Sequence, residues 1–440
     1  MKYAELDHYV EYLRKFPRFS SRDYLQLHRI RALLRELGHP ERRLRGFQVA
    51  GTNGKGSTVA MLDSVLRAAG YRVGAFYSPH LVSYTERFQI NGRPISRKRL
   101  SQIITRLQPA VERVSQKVGD RPTWFEVITA AGAVYFAESK IDWVVFEVGL
   151  GGRLDATTAL GLKYKCITEI GYDHMHILGT TIRRIAREKA GIITGRNTVI
   201  TSNTGEALQV IQNRCRKTHS RLYESPAIKN QQLSVTGTVF SFIEAGESYR
   251  AAIRFVGERQ AINAAMVFRL MRERLALPSK TILLGLKNAT LAGRFQIIKK
   301  KPIIIIDGAH NVPAIQYLLR TLTRLGIERN RLITVFGAKT RKNYRAMARL
   351  LARRSKTIIF PKTGLPNMAA PQNLKRLLPA SRVVPSLRSA LRLAQTKANK
   401  NDMILITGSF YLIGEVLRER GYRRTASVDR IDDNQIEQKP

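Results

Sequence analysis

The chain has 440 residues, 44% hydrophobic and 25% charged, which is ordinary globular usage and excludes a disordered chain. That length exceeds one ordinary core, so two domains or three are expected. Lys and Arg number 75 against 33 Asp and Glu, a formal net charge of +42, a balance that suits nucleic acid, an anionic membrane surface or acidic small molecules.

Residues 1–44 read as mostly helical, with Tyr9, Leu13, Tyr24, Leu25, Ile30, Leu33 and Leu34 as apolar positions. The first seven residues carry charge where a signal peptide needs an apolar core. No run of about eighteen apolar residues occurs, so a soluble, cytoplasmic protein without a membrane partner is expected. A strand over 46–50 feeds the stretch Gly51-Thr52-Asn53-Gly54-Lys55-Gly56-Ser57-Thr58, and a helix follows over 57–69. A glycine-rich turn between strand and helix aims backbone N–H groups at one point. The helix N-terminus and Lys55 add positive charge there, and Ser57 or Thr58 can offer a hydroxyl to magnesium. Gly56 separates Lys55 from the hydroxyl residue, which departs from the common nucleotide loop.

Further strands are predicted over 72–77, 142–148, 165–170 and 198–201, with residues 78–92 as a loop. Strands alternating with amphipathic helices argue for a largely parallel sheet covered on both faces. Alternation over 232–242 and 248–255 predicts antiparallel hairpin strands, and helical pattern returns over 259–275. Lys299-Lys300-Lys301-Pro302 marks a linker edge. Beyond it, strands over 302–306, 331–336, 356–360 and 403–407 alternate with helices over 312–325, 343–352, 371–378 and 410–419, a doubly wound domain of ordinary size. The tail from Thr425 onward is polar and expected to fray.

Several charged or glycine-rich clusters fall at the carboxyl ends of predicted strands, where open α/β sheets bind ligands. Glu147 precedes the run Gly149–Thr157; it can hold a divalent metal, and a structural pair with Arg153 is nearly as good a reading. Asp173-His174, with His176, follows strand 165–170 and suits metal or an ordinary polar turn. Glu188-Lys189-Ala190-Gly191 puts a lysine where an ion-pair partner is expected. Asp307-Gly308-Ala309-His310-Asn311 suits ribose or phosphate contact, and Asp307 as a helix cap is the plain reading. Gly408-Ser409-Phe410-Tyr411 sits in the equivalent place after strand 403–407. The basic residues lie in short scattered clusters without interleaved aromatics, so no specific nucleic-acid partner is expected. Cys166 and Cys215 exclude a disulfide framework and a four-cysteine zinc site.

Together, Gly51–Ser57, Ser78-Pro79-His80-Leu81, Phe125-Glu126, Gly149–Thr157, Asp173-His174, Glu188–Ile193, Asp307–Asn311 and Gly408–Tyr411 closely resemble the folylpolyglutamate synthase/dihydrofolate synthase family. These enzymes are ATP-dependent amide ligases of the Mur ligase superfamily. The resemblance spans roughly residues 40–420 and implies an α/β fold: a P-loop ATPase-like domain with a parallel sheet and a small antiparallel sheet over 1–293, a linker over 294–301, and a Rossmann-like domain over 302–440. It implies addition of L-glutamate to dihydropteroate, to reduced folates or to both, through an acyl phosphate, by a monomer.

The resemblance also assigns residues. Thr52, Asn53, Gly54, Lys55, Gly56, Ser57 and Thr58, with Asn263, Arg294, Asp307 and His310, would contact ATP. Ser57, Ser78 and Glu147 would hold one magnesium ion, and Glu147 with His174 a second. Lys189 matches a lysine that becomes carbamylated, and Lys55, Glu147, His174 and Lys189 form the catalytic set. His80, Phe125, Arg153, Asp155, Ala156, Ser409 and Tyr411 lie where the substrates are expected. The chain departs from the family pattern at Thr158 (usually Asn), Arg259 (usually His), Ala292 (usually Pro) and Lys339-Thr340-Arg341-Lys342. A Mur-type ligase with another acceptor or amino acid and a P-loop nucleic-acid-binding protein are the alternative readings.

Overall fold

The computed structural model describes residues 10–13, 15–16 and 25–419; Tyr9, Tyr24 and the tail from Thr425 lie outside them. Contacts divide the chain into two compact units, Met1–Ala227 with Ile262–Ala289, and Ile228–Ala261 with Thr290–Pro440. The hairpin strands thus cluster with the C-terminal residues, although chain order places them beside the N-terminal ones.

The first unit is built on an eight-stranded sheet. Its strands are β1 (Gly46–Ala50), β2 (Val73–Phe76), β3 (Phe88–Ile90), β4 (Arg93–Pro94), β5 (Trp143–Glu147), β6 (Tyr164–Ile167), β7 (Thr198–Thr201) and β8 (Arg221–Glu224), in the order β4-β3-β2-β5-β1-β6-β7-β8. The six strands from β2 to β8 in that order run parallel, and β3 and β4 are antiparallel additions. All five residues of β1 are buried, as expected for a central strand with helices on both faces. Register pairs Val49 with both Glu147 and Cys166, so the carboxyl ends of β5, β1 and β6 are level. That is where a doubly wound sheet places its ligands.

Helices α1 (His28–Glu36), α2 (Lys55–Ala68), α3 (Arg97–Val118) and α4 (Trp124–Glu138) precede β5. Helices α5 (Met175–Leu178), α6 (Ile182–Ala190) and α7 (Gly205–Lys217) lie between β6 and β8. Thr123 and Glu126 close a capping box at the start of α4. In the core that α1, α3 and α4 share with the sheet, Phe76 stacks on Phe146 and Phe136 meets Phe146 edge-on. Helices α8 (Glu258–Leu275) and α9 (Ser279–Asn288) follow, and Ser64 of α2 donates to the Gly285 carbonyl of α9 at 2.7 Å.

The α/β architecture is as expected, with local differences. The predicted loop 78–92 contains β3, a strand too short to show alternation. The predicted strand 232–242 is two strands, β9 (Ile228–Ser234) and β10 (Gly237–Glu244), because alternation runs on through the two-residue turn. With β11 (Glu247–Ile253) they form an antiparallel sheet.

The second unit's main sheet has the order β12-β13-β17-β14-β15-β16, with β12 (Gln296–Lys300), β13 (Ile303–Asp307), β14 (Leu332–Phe336), β15 (Thr357–Pro361), β16 (Arg382–Val384) and β17 (Met403–Thr407). Most of the expected linker 294–301 is therefore strand β12, antiparallel to β13; its lysines hid the pattern. Helices α10 (Val312–Arg324), α11 (Tyr344–Arg353), α12 (Pro371–Leu377), α13 (Leu387–Lys397) and α14 (Phe410–Glu419) cover the sheet, and α11 packs on both α10 and α12. Among the described residues no helix is long and apolar enough to cross a membrane.

Candidate functional site

The phosphate loop forms as its glycines require. Gly54, at φ +85°, is the N-cap of α2, and a Cβ there would lie 2.5 Å from Asn263 Nδ2, so only glycine admits this approach. α2 starts at Lys55, two residues before the expected start. Lys55 curls back so that Nζ donates to the carbonyls of Gly51 and Thr52, each at 3.2 Å. Ser57 and Thr58 are fully buried, and neither hydroxyl has a hydrogen-bond partner among the described residues. Such orphaned groups at a helix N-terminus fit an absent phosphate or its metal.

The loop is laced to the segment after β6. Thr52 N–H donates to the Glu169 carbonyl at 2.7 Å, and Thr52 Oγ1 exchanges bonds with the Gly171 carbonyl and N–H, both 3.0 Å. Thr168 Oγ1 donates to the Asn53 carbonyl at 2.7 Å. These bonds end β6 at Ile167, short of the expected Ile170, because Thr168–Gly171 turns to hold the loop.

At the end of β5, Glu147 is buried and its Oε2 accepts the Ser78 N–H at 2.9 Å. Sequence reasoning missed the residue that organises its neighbourhood, Arg87. This buried guanidinium donates to His80 Nδ1 at 2.8 Å and to Ser78 Oγ at 3.3 Å, and lies 4.7 Å over the Trp124 ring. Guanidinium only donates, so the His80 proton on a neutral ring sits at Nε2. The run Glu86-Arg87 within a supposed loop was the one available signal. Phe125 is buried at the start of α4.

The loop after Gly149 is folded on Asp155. Its Oδ2 accepts from Gly149 and Leu150 N–H groups at 3.0 and 2.9 Å, and its Oδ1 from Thr157 N–H and Oγ1 at 3.0 and 2.6 Å. Asp155 thus anchors the loop, with buried Ala156 beside it. Arg153 grips Glu188 in a forked pair at 3.3 and 3.1 Å, so the structural partner weighed for Glu147 belongs to Glu188 instead. Gly191 lets these segments meet: a Cβ there would lie 2.2 Å from Arg153 Cβ. Next to Glu188, Lys189 is 5% exposed and donates from Nζ to the Gly51 carbonyl at 2.8 Å. Thr158, a departure from the family pattern, accepts from Gln48 Nε2 at 2.8 Å and donates to the Gly152 carbonyl at 2.7 Å.

His174 has φ +49° and caps the short helix α5, its N–H donating to Asp173 Oδ1 at 2.8 Å. The His176 ring lies 6.2 Å from it. Among the described residues no three His, Cys, Asp or Glu side chains converge as a metal cluster. A hard cation that keeps several waters and takes hydroxyl and phosphate oxygens needs no such cage.

In the second unit, the residues expected at the nucleotide and substrate gather at the carboxyl ends of β13 and β17. Asp307 accepts from the N–H groups of Phe295 and Ala309 at 2.8 and 2.9 Å. Burial pushes its carboxyl up, while Arg294 beside it acts in the opposite direction. The helix cap is Asn311, whose Oδ1 accepts from Ala314 N–H; Asp307 is not the cap. Arg294 lies 4.5 Å over the Phe410 ring, and His310 Nδ1–H donates to the Gly308 carbonyl at 2.8 Å. Ser409 is buried and accepts the Tyr411 N–H at 3.1 Å, while Lys339 stands 4.0 Å over the Tyr411 ring. Arg259 stacks 4.5 Å over Tyr317. Nothing in the structure explains Ala292.

The family model described as the Mur ligase middle domain matches residues 49–271, and that of the Mur ligase glutamate ligase domain matches residues 293–410. The chain is 36% identical over 406 residues to dihydrofolate synthase/folylpolyglutamate synthase of Bacillus subtilis, covering 89% of this chain and 94% of the relative. It is 34% identical over 433 residues to folylpolyglutamate synthase of Lacticaseibacillus casei, with 94% and 98% covered. Among solved structures, Mycobacterium tuberculosis folylpolyglutamate synthase complexed with ADP and AMPPCP matches with a TM-score of 0.88 at 27% identity, covering 95% of this chain and 98% of that one. Escherichia coli FolC in complex with DHPP and ADP matches with a TM-score of 0.84 at 29% identity, covering 96% and 98%.

Proposed function

Because the chain belongs to the folylpolyglutamate synthase/dihydrofolate synthase family of Mur ligases, we propose that it is an ATP-dependent ligase joining L-glutamate to dihydropteroate and to reduced folates. The observation that carries the reading is the pair of buried hydroxyls of Ser57 and Thr58, without hydrogen-bond partners among the described residues, behind a glycine-capped helix N-terminus. A carboxylate resists attack by an amine. The γ-phosphoryl group of ATP passes to the acceptor carboxylate, giving an acyl phosphate and ADP. The glutamate amine then attacks the acyl carbon, the C–O bond to phosphate breaks, and the nitrogen loses a proton.

Protein groups contribute by positioning and by meeting charge, the dominant means in phosphoryl transfer. In this reading Lys55 and the N–H groups of Thr52–Thr58 bind the phosphates. Lys55 leaves its two carbonyl bonds and turns to the phosphoryl oxygens. When bound, magnesium neutralises charge on those oxygens. Ser57, Ser78 and Glu147 are the residues assigned to one ion, and Glu147 with His174 to a second. Asn263, Arg294, Asp307 and His310 are assigned to the nucleotide. His80, Phe125, Arg153, Ala156, Ser409 and Tyr411 are assigned to the substrates, with Asp155 shaping the acceptor loop. Lys189 is assigned as the carbamylated residue: its ammonium first gives up one proton, and the free amine then forms an N–C bond to carbon dioxide and releases a second, which turns a cation into an anion. A monomer suffices for this chemistry.

The test is phosphate release with ATP, glutamate and either dihydropteroate or tetrahydrofolate. Release dependent on glutamate and on an acceptor is expected with each. Turnover with neither acceptor overturns the reading.

A further inference from the structure

We infer that the outer face of the helix layer α10–α11–α12 is a sequence-independent docking surface for the phosphodiester backbone of nucleic acid. The sequence shows basic residues in scattered clusters; the fold gathers some of them. These three helices contain no Asp or Glu at all. On α11 the exposed residues Arg345, Arg349 and Arg353 recur every fourth position, while Met347, Ala348 and Leu351 are buried on the opposite side. Four residues of helix rise about 6 Å, so the three arginines occupy one evenly stepped row of positions on the helix. Arg320 and Arg324 of α10 extend the row on one flank, and Lys375 and Arg376 of α12 on the other.

The neighbouring carboxylates do little to neutralise it. Arg324 stands 4.0 Å from Glu258 and bonds Gln231, and Glu328 is exposed beyond the end of α10. Lys375 bonds the carbonyls of Pro379 and Ser381. Arg349, Arg353 and Arg376 make no ion pair among the described residues. A row of unneutralised arginines on a rigid element is an electrostatic footprint, and the planar guanidinium fork matches phosphate oxygens.

Other anionic partners fit less well. Membrane binding by a helix layer needs apolar side chains beside the cations. Among the described residues the exposed large hydrophobics are Tyr172, Met175, Ile243 and Leu284, none of them on this layer. A protein partner needs an apolar anchor, which the face lacks for the same reason. The aromatic residues Tyr317 and Tyr344 lie beneath Arg320 and Arg345, so the face offers no bare ring for base stacking. Contact to the backbone carries no sequence information.

The test uses the full chain and fluorescence anisotropy with labelled poly(U) RNA and with duplex DNA, from about 50 mM to about 200 mM salt. The variant Arg345→Gln/Arg349→Gln/Arg353→Gln is compared with Lys140→Gln/Lys217→Gln/Lys280→Gln, which removes the same charge from exposed sites elsewhere. The arginine variant should flatten the slope of log K against log salt for poly(U) by about 2, at roughly 0.7 per phosphate contact, and leave ligase turnover unchanged. The lysine variant should keep the wild-type slope. Arg349→Gln alone, expected to give about a third of the change, serves if the triple variant melts early. Equal losses in both triple variants, no binding by the wild type, or capture by phosphatidylserine vesicles but not by either nucleic acid overturns the inference.

Discussion

Lys165 Nζ donates to Gln48 Oε1 at 2.8 Å across the β1–β6 pair, and the lysine is fully buried. Gln48 in turn donates to the hydroxyls of Thr157 and Thr158, and Thr157 Oγ1 donates to Asp155. A polar chain with one direction of donation therefore runs from the sheet centre to the acceptor loop. Burial alone pushes the Lys165 amine from its ordinary 10.5 down to about 7.

That depression sets a pH dependence of stability. The folded value lies below the unfolded one, so from about pH 7 upward the unfolded chain binds the extra proton, and stability rises with pH through that window. The rise amounts to about 2 kcal/mol between pH 7 and pH 9, from roughly 1.4 kcal/mol per pH unit. In Lys165→Met this contribution vanishes. Urea unfolding across the range should show the wild type gaining on the variant as pH rises; parallel curves would refute the account.

Ser57→Ala removes a buried hydroxyl that has no hydrogen-bond partner among the described residues. Loss of an unsatisfied polar group is neutral or stabilising, so the melting temperature should hold or rise while affinity for magnesium–ATP falls at least tenfold. A lower melting temperature with unchanged nucleotide affinity would mean that the hydroxyl serves the fold.

Lys55→Ala should reduce phosphate release by about a thousandfold, in line with the loss of a main electrostatic contact to a transferring group. In the folded chain its Nζ bonds the loop carbonyls of Gly51 and Thr52, and circular dichroism and melting should change little. Retained turnover would sink the role assigned to it.

Lys189→Ala should lose most activity, and added acetate or another short carboxylate should restore part of it if the working group is an anionic carbamate. Rescue by short amines in place of carboxylates would show that the lysine acts as a cation.

Legibility followed locality. The phosphate loop could be read because turn, cation and hydroxyls are contiguous between Gly51 and Thr58, and the strand at Gly46–Ala50 matched to the residue. Arg87 could not be read, because its partners His80 and Ser78 meet it only after β3 folds back along β2. The forked pair of Arg153 and Glu188 is 35 residues apart in the chain, and no periodicity encodes it. The role of Thr158 is set by Gln48, 110 residues away, which supplies the donor that it accepts from. Strand β12 was hidden for the opposite reason: its local signal, three lysines before a proline, is that of a linker.

Those lysines have another consequence. β12 is the outermost strand of its sheet, and a bare strand edge invites pairing with other chains. Lys299, Lys300 and Lys301 put positive charge along and just beyond this border, so two molecules approaching edge to edge repel each other before their backbones can pair. Replacing all three with threonine would leave strand propensity intact and remove that guard, so the expected cost is paid in the test tube as aggregation at high protein concentration, not as lost catalysis.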